Sequence, residues 1–324
     1  MEPHLSASTF PQRERPAERL TLCCVVDESP RLHVELVLWT ICAKRCLPET
    51  RYRIVVYHVG DVPRDIIEWV EARGIESRHV AAAVLEGAPY CNKIAPFFDA
   101  HATPYTIVCD SDLYFVDDPG VFLNSDRFRA PPNNHCRPPA SVFKTLLPKS
   151  GVGRSYRPGL GLFPSQDGSR ETHINNINGG FIAVPERRRE VFPSLWRKWA
   201  QWLVQNRGLL GAWGVHVYQV AFALAMEELG EDVEFLPPQM NAVLQILTEI
   251  STVYAFHLSS AHVPQFPGRF NADRTLTTDG LSQDVAAAVA RLNLCIGEAV
   301  GVISSLPSTR DHLRLFLNPQ WERE

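Results

Sequence analysis

The sequence predicts an α/β protein with a single mixed, mostly parallel sheet that is flanked by helices and followed by C-terminal helices. Short apolar runs alternate with amphipathic segments from about Leu20 to about Val302, which is the pattern of βαβ units on a parallel sheet. The chain has 324 residues and is 45% hydrophobic, so it is long enough to bury a large core on both faces of such a sheet. No internal repeat is present.

The first half of the chain supplies the parallel part of the predicted sheet. Residues 22–27 form the first strand, and Ser29-Pro30 supplies an N-cap and a first-turn proline for a helix through about Arg45. Apolar periodicity then predicts strands at 51–59 and 78–82, a helix at 61–73 between them, and a helix at 91–101 that leads into the strand Tyr105–Cys109.

The second half begins with a segment that has no periodicity. Residues 149–172 are rich in Gly, Ser, Pro and Arg, which is typical of a mobile loop. Beyond it, the pattern predicts a strand at 178–185, helices at 186–207 and 215–229, short strands at 233–236 and 252–257, and an Ala-rich helix at 282–302. We therefore expect a polar tail at 1–19, one domain at 20–280 and a helical extension at 281–324.

Composition excludes several classes of function. A net charge of −4 gives no broad attraction to nucleic acid or to an anionic membrane. The eight cysteines form no C-x-x-C pair, which favours buried, reduced thiols. The first twenty residues are charged and lack the apolar core of a signal peptide, and no run reaches the roughly 18 apolar residues of a membrane span. The sequence predicts a cytoplasmic protein without a transmembrane segment and without a nucleic-acid partner.

Two carboxylates follow the central predicted strand, Tyr105–Cys109. Asp110 and Asp112 are one residue apart, so a turn beyond the strand can aim both at one hard cation such as Mg²⁺ or Mn²⁺. In open α/β sheets, ligands bind beyond the carboxyl ends of the strands. The pair therefore predicts a metal site that also binds a diphosphate.

Further motifs stand in a fixed order around this pair. They are the first strand ending in Asp27, the pair Lys93-Ile94, the run IVCDSDLYFVDD that contains Asp110-Ser111-Asp112, the strand Asn178-Gly179-Gly180-Phe181-Ile182, and His257 at the end of Tyr254–His257. Over roughly residues 20–260, this order resembles the nucleotide-sugar-dependent glycosyltransferases of the A-type (GT-A) fold, in particular the retaining, glycogenin-like group.

The resemblance implies the roles of these residues. A nucleoside diphosphate sugar, with a UDP-hexose favoured, would bind to Asp27, Lys93, Asp110, Ser111, Asp112, Asn178, Gly179 and Gly180. Asp110, Asp112 and His257 would hold Mn²⁺ or Mg²⁺ on the leaving diphosphate. Lys93 would add a catalytic positive charge, and the two glycines would let the backbone approach the hexose. Residues 20–118 would bind the nucleotide, and residues 119–280 the sugar and the acceptor.

The chain departs from the glycogenin-like pattern at one place. That group usually has an Asp-Gln pair near the reacting carbon, and the matching stretch here is His216-Val217-Tyr218-Gln219. Gln219 is retained as a candidate catalytic residue, but Tyr218 replaces the aspartate. A retaining reaction assisted by the leaving diphosphate needs no protein nucleophile. An inverting reaction needs an acidic base, for which four residues are candidates: Asp167, Glu171, Glu227 and Glu228.

Several alternatives stay open on the sequence alone. Lys93 could be a solvated helix lysine, and Asp27 could be a helix cap. His257 could be a structural histidine, and His216 and His262 compete with it as candidate metal ligands. The acceptor could be a glycan, a lipid-linked sugar, a protein or a small metabolite. The basic loop with Arg154, Arg157 and Arg170 is expected to close over the diphosphate.

Other classes of protein also use an Asp-x-Asp motif. An aspartyl phosphatase usually opens its domain with the motif and has Thr or Val where Tyr114 stands here. A nucleotidyltransferase would need a glycine-rich loop, and residues 26–30 contain no glycine. An inactive nucleotide-sugar-binding protein is the third alternative, which Tyr218 favours.

Overall fold

The structure is a computed structural model that describes residues 19–99, 101–165, 168–258, 269–271 and 273–316. The predicted tail before residue 19, the candidate base Asp167 and the competing histidine His262 lie outside the described residues.

The described chain forms eleven strands and six α-helices. The strands are β1 (Leu20–Val26), β2 (Tyr52–Val59), β3 (Glu76–Val80), β4 (Tyr105–Cys109), β5 (Leu113–Phe115), β6 (Arg129–Ala130), β7 (Pro158–Leu160), β8 (Glu171–His173), β9 (Phe181–Pro185), β10 (Glu234–Phe235) and β11 (Ala255–His257). The helices are α1 (Pro30–Cys46), α2 (Arg64–Glu71), α3 (Ala140–Ser150), α4 (Phe192–Gln205), α5 (Val217–Leu229) and α6 (Gln283–Ser305).

A seven-stranded mixed sheet has the order β10-β6-β9-β4-β1-β2-β3. The strands β4, β1, β2 and β3 are parallel, whereas β9 runs antiparallel to both β4 and β6. The predicted mixed, mostly parallel sheet is confirmed. Because Cys24 of β1 lies opposite Cys109 of β4, the two strands end side by side, and Asp27 and Asp110 follow at the same edge.

Both faces of the sheet are covered by helices. On β4, Ile107 and Cys109 join the core beneath α1 and α6, while Val108 joins the core beneath α4 and α5. Successive side chains of a strand point to opposite faces, so a strand buried on both faces is mostly apolar, as the run YTIVC is apart from Thr106.

Two predicted helices have different forms in the structure. Residues 91–101 were expected to form a helix, and Pro89–Phe98 forms a 3₁₀ helix with Pro96 inside it. In an α-helix the ring of Pro96 would clash with the carbonyl four residues earlier. The predicted helix at 186–207 is shorter. Glu186–Arg188 form a separate 3₁₀ turn, and α4 begins only at Phe192, next to Pro193.

The segment predicted as a mobile loop contains short elements of regular structure. Helix α3 reaches into it as far as Ser150, and β7 pairs antiparallel with β8, with Pro158 opposite His173. The short strands β7 and β8 were not expected, but the other described residues between Gly151 and Arg170 lie in no helix or strand, and the mobility of this loop stays a prediction.

Helix α6 confirms the predicted Ala-rich helix. It is long and apolar enough to span a membrane, which is also true of core helices in soluble proteins. Here one face of α6, including Leu292 and Ile296, is buried in the core beside α1. The division of the chain into a domain at 20–280 and an extension at 281–324 stays a prediction.

Candidate active site

Three chain segments meet where β4 ends. The N–H of Asp110 donates to the carbonyl of Gly180 at 3.0 Å, which joins the end of β4 to the start of β9. The N–H of Leu258 donates to the carbonyl of Asp112 at 3.0 Å, and β11 pairs with β5 so that His257 lies opposite Leu113. These backbone contacts bring His257 to the aspartate pair.

Asp110, Asp112 and His257 form a compact group of possible metal ligands. One ligand atom from each residue lies within 4.8 Å of the others. The Nε2 of His257 is 3.2 Å from Oδ1 of Asp112 and 3.9 Å from Oδ2 of Asp110. The structure thus brings together the three metal ligands that the sequence predicted.

A second layer of polar side chains orients His257. Its Nδ1 lies 2.8 Å from Oδ1 of Asn241, and Nδ2 of Asn241 donates to Oδ1 of Asn134 at 3.2 Å. Since the amide nitrogen of Asn241 is used as a donor, its oxygen must accept the Nδ1 proton of His257. In the neutral ring, the lone pair is then on Nε2, which faces the two aspartates.

The charges of this group stabilise one another. Burial alone would raise the pKa of Asp112, but His257 and Arg31 outweigh it and lower that pKa to about 2. Burial would lower the pKa of His257, but the carboxylates of Asp112 and Asp110 hold it above its usual value. The two carboxylates therefore attract positive charge to this place.

Lys93 lies beside the same group. Its ammonium forms an ion pair with Asp110, and Nζ donates to the carbonyl of Gly179 at 3.3 Å. The side chain is buried, and burial alone would lower the pKa of Lys93. The charges of Asp110 and Asp112 outweigh burial and raise this pKa, so the amine stays charged. The alternative of a solvated surface lysine is therefore wrong.

Tyr218 lies over this lysine, where the resemblance predicts an aspartate. Nζ of Lys93 is 4.6 Å from the centre of the Tyr218 ring. The ring of Tyr90 stacks on the ring of Tyr218, with 5.7 Å between the two ring centres. A Cβ at Gly179 would be 2.3 Å from Cε2 of Tyr218, so only glycine fits beneath the ring. A Cβ at Gly180 would be 2.9 Å from Cε1 of His257.

Two cavities adjoin the aspartates. The α1 cavity, of about 220 Å³, is lined by Val25, Val26, Asp27, Ser29, Arg31, Leu32, Pro89, Tyr90, Asn92, Lys93, Asp110 and Ser111. The α5 cavity, of about 270 Å³, is lined by Arg31, Tyr90, Asp110, Asp112, Asn133, Asn134, His135, Arg137, Asn178, Val215, His216, Tyr218, Gln219 and His257. Arg31, Tyr90 and Asp110 line both, so the two cavities are halves of one cleft.

Some predicted site residues use their polar atoms within the protein. Oδ1 of Asp27 accepts the N–H of Ser29, the N-cap residue of α1, at 2.9 Å, and Asp27 also lines the α1 cavity. Ser111 donates to Glu35 at 2.7 Å. Asn178 accepts the N–H of Gly180 at 2.7 Å and lines the α5 cavity.

Gln219 is held at both ends of its amide. Nε2 donates to the carbonyl of Ile177 at 2.8 Å, and Oε1 lies 2.5 Å from Nδ1 of His216. His216 must therefore donate its Nδ1 proton to this oxygen. Gln219 lines the α5 cavity, but its hydrogen-bonding groups are shared with protein partners.

Sequence reasoning missed Arg31, which lines both cavities. Its Nε donates to Oε1 of Glu35 at 2.7 Å, and Nη2 lies 3.8 Å from Oδ2 of Asp112. Burial and the charge of Asp112 raise the pKa of Glu35 to about 7. The spacing of Arg31 and Glu35 by four residues, on the helix that directly follows β1, was the available signal.

The three loop arginines do not contact the aspartates in this structure. Arg157 bonds Glu227 at 2.5 Å and Asp232 at 2.6 Å, near the far end of α5, and Arg154 lies 3.8 Å from Glu227. Nε of Arg170 donates to the carbonyl of Gly161 at 3.0 Å. Loop closure over a ligand stays a prediction.

The described candidates for an acidic base also lie elsewhere. Glu227 pairs with Arg157, Glu228 with Lys198 and Glu171 with Lys144, and none of the three lines either cavity.

No family model and no curated protein sequence matches the chain. Solved structures with a similar fold include three glycosyltransferases. The galactosyltransferase LgtC, in complex with donor and acceptor sugar analogues, is 12% identical with a TM-score of 0.49 over 86% of this chain and 95% of that one. Mouse xyloside xylosyltransferase 1 is 12% identical with a TM-score of 0.46 over 74% of this chain and 97% of that one. GlyE of Streptococcus pneumoniae is 11% identical with a TM-score of 0.46 over 90% of this chain and 65% of that one.

Proposed function

We propose that the chain is a metal-dependent glycosyltransferase of the GT-A fold. It transfers a hexose from a nucleoside diphosphate sugar to a glycan, lipid-linked sugar, protein or small-molecule acceptor. The observation that carries this proposal is the group Asp110, Asp112, His257 and Lys93 at the junction of two cavities. A UDP-hexose donor is favoured by the resemblance to the glycogenin-like group.

The side chains fit a divalent cation. Two carboxylates and one imidazole suit Mn²⁺ or Mg²⁺ better than a soft metal, and Asn241 leaves Nε2 of His257 as the ligand atom. A cation bound to Asp110, Asp112 and His257 would neutralise the diphosphate and make it a better leaving group.

Two basic side chains add positive charge to the proposed diphosphate site. Lys93 and Arg31 both line the α1 cavity next to Asp110. Each is anchored by a carboxylate, Lys93 by Asp110 and Arg31 by Glu35, so little conformational freedom is lost when they contact a phosphate. Together they stabilise the negative charge that develops on the leaving group.

A retaining reaction is favoured by the carboxylates of the cleft. Among the described residues that line the two cavities, these are Asp27, Asp110 and Asp112. Asp110 and Asp112 belong to the metal group, and the carboxylate of Asp27 accepts the N–H of Ser29 just before α1. This leaves no described Asp or Glu as the base of an inverting reaction, so we propose attack on the same face as the leaving diphosphate.

The second candidate is an inactive nucleotide-sugar-binding protein, which one observation favours. The ring of Tyr218 covers Lys93 where an aspartate is expected. Release of free sugar or sugar transfer would reject this candidate, whereas metal-dependent binding without any turnover would support it.

The cysteines favour a cytoplasmic location. All eight are free thiols and seven are buried, as expected in a reducing compartment.

A thermal-shift panel of nucleoside diphosphates with and without Mn²⁺ tests the proposal. We expect metal-dependent stabilisation by one preferred diphosphate, and the preferred base would identify the donor. Asp112→Asn should abolish this stabilisation, whereas Asp61→Asn, at an exposed position outside the cleft, should not. Absence of metal-dependent stabilisation by every diphosphate would reject the proposed function.

A further inference from the structure

Arg137 is an exposed arginine at the mouth of the α5 cavity, which it lines together with His135 and His216. In the parts of the chain that the structure describes, its guanidinium makes no hydrogen bond and no ion pair. An arginine with five unused donors at the entrance of a cleft is available to a ligand.

The loop that carries Arg137 is held in place by two buried asparagines. Oδ1 of Asn133 accepts the N–H of His135 at 3.1 Å and that of Arg137 at 3.3 Å, while its Nδ2 donates to the carbonyl of Arg137 at 2.7 Å. Asn176 donates to the carbonyl of Pro138 at 3.3 Å. The backbone position of Arg137 is therefore fixed before any ligand binds.

Cys136 determines which side chains of this loop face the cavity. It is fully buried, and a Cβ at Gly161 would be only 2.4 Å from its Sγ. Cys136 therefore points into the protein, whereas its neighbours His135 and Arg137 both line the α5 cavity.

The positive charge of Arg137 is not balanced within the α5 cavity. The described acidic residues that line this cavity are Asp110 and Asp112. Both already pair with other basic groups, Asp110 with Lys93 and Asp112 with His257 and Arg31. Burial and then the charge of Arg137 lower the pKa of His135. The pKa of His216 is also lowered, mainly by burial and further by Arg137.

We propose that the acceptor carries an anionic group, a carboxylate or a phosphate, which Arg137 binds at the mouth of the α5 cavity. A guanidinium binds both groups through two parallel hydrogen bonds. The donor's own phosphates are accounted for by Lys93 and Arg31 in the α1 cavity. The anion at Arg137 is thus a second one, and its exposed position suits the incoming acceptor. This inference rests on the proposed function.

Equilibrium binding of small sugars tests it. Glucuronate and glucose 6-phosphate are compared with methyl glucoside at constant ionic strength, on the full chain with and without Mn²⁺ and UDP. We expect the anionic sugars to bind about 10- to 100-fold more tightly, the range for a hydrogen bond to a charged group. Arg137→Gln should remove this preference and Arg137→Lys should keep part of it. Arg64→Gln, which changes an exposed arginine on α2, should keep all of it.

Three results would overturn the inference. The first is equal binding of neutral and anionic sugars by the unchanged protein, and the second is a preference that survives Arg137→Gln. The third is a preference found only between donors, with UDP-glucuronate favoured over UDP-glucose through Arg137, which would assign the anion to the transferred sugar. Binding of UDP with Mn²⁺ is measured first in every variant, so failure of the proposed function is recognised separately from failure at Arg137.

Discussion

Asn241→Leu should weaken metal binding without removing any metal ligand. The hydrogen bond from Nδ1 of His257 to Oδ1 of Asn241 is 2.8 Å long, and the two residues are 7% and 2% exposed. Leucine has a similar size but cannot accept this proton. The buried N–H would then be unpaired, at a cost of about 1–3 kcal/mol. The ring could avoid this cost by moving its proton to Nε2, which would remove the lone pair that faces the aspartates.

Either response lowers the affinity for the cation. Loss of a partner that orients a ligand typically costs about 10- to 100-fold in metal affinity, or roughly 1.4–2.7 kcal/mol. Titration of Mn²⁺, followed by the electron paramagnetic resonance signal of the free ion, measures this directly and needs no substrate. Asn241→Asp keeps an accepting oxygen and should bind Mn²⁺ nearly as well as the unchanged protein.

The matched control is Asn206→Leu, because Asn206 bonds the carbonyl of Trp202 at the end of α4 and does not line the cleft. Mn²⁺ affinity of Asn241→Leu within twofold of the unchanged protein would refute the argument from the tautomer of His257. Equal losses in both leucine variants would show a general effect on folding.

Three further changes test the neighbourhood of the site. Gly179→Ala should reduce nucleoside diphosphate binding, because the new Cβ would overlap Tyr218. Adding Tyr218→Ala in the same chain should restore part of this binding, and no recovery in the thermal-shift assay would contradict the steric explanation. Tyr218→Leu removes the ring over Lys93 and should weaken diphosphate binding by about 2- to 30-fold, since a cation–π contact contributes about 0.5–2 kcal/mol. Calorimetry with Tyr218→Phe as the control checks this. Arg157→Gln should lower the free energy of unfolding by about 3 kcal/mol because it leaves Glu227 buried and poorly paired. In urea denaturation, the extra stability that UDP with Mn²⁺ gives the protein should be the same in Arg157→Gln as in the unchanged protein. Loss of this ligand-induced stability would favour closure of the loop with Arg154, Arg157 and Arg170 over the diphosphate.

Much of the sheet edge could be predicted from the sequence. The run YTIVC followed by Asp110-Ser111-Asp112 is local information, because alternation on a buried strand and the turn beyond it depend on neighbouring residues. The same holds for α1, whose first-turn proline follows Ser29. The expectation that His257 joins the pair came from the order of motifs, and the pairing of β11 with β5 provides its physical basis.

The residues that sequence reasoning missed depend on distant contacts. Arg31 is an ordinary helix arginine until the ends of β1 and β4 lie side by side, and Arg137 is an ordinary loop arginine until Asn133 and Asn176 fix its backbone. The strands β7 and β8 within and beside the segment 149–172 were also missed, because contacts near them come from distant residues such as Glu227, which pairs with Arg157.

The sequence by itself determined the α/β class, the central strand and the aspartate pair, since these follow from short-range patterns of burial and turn formation. Only the tertiary structure decided that Tyr218 covers Lys93, that Arg31 joins both halves of the cleft and that Arg137 stands unpaired at its mouth. The physical reason is that the surroundings of a side chain come from segments far apart in the sequence, which lie next to each other only in the folded chain.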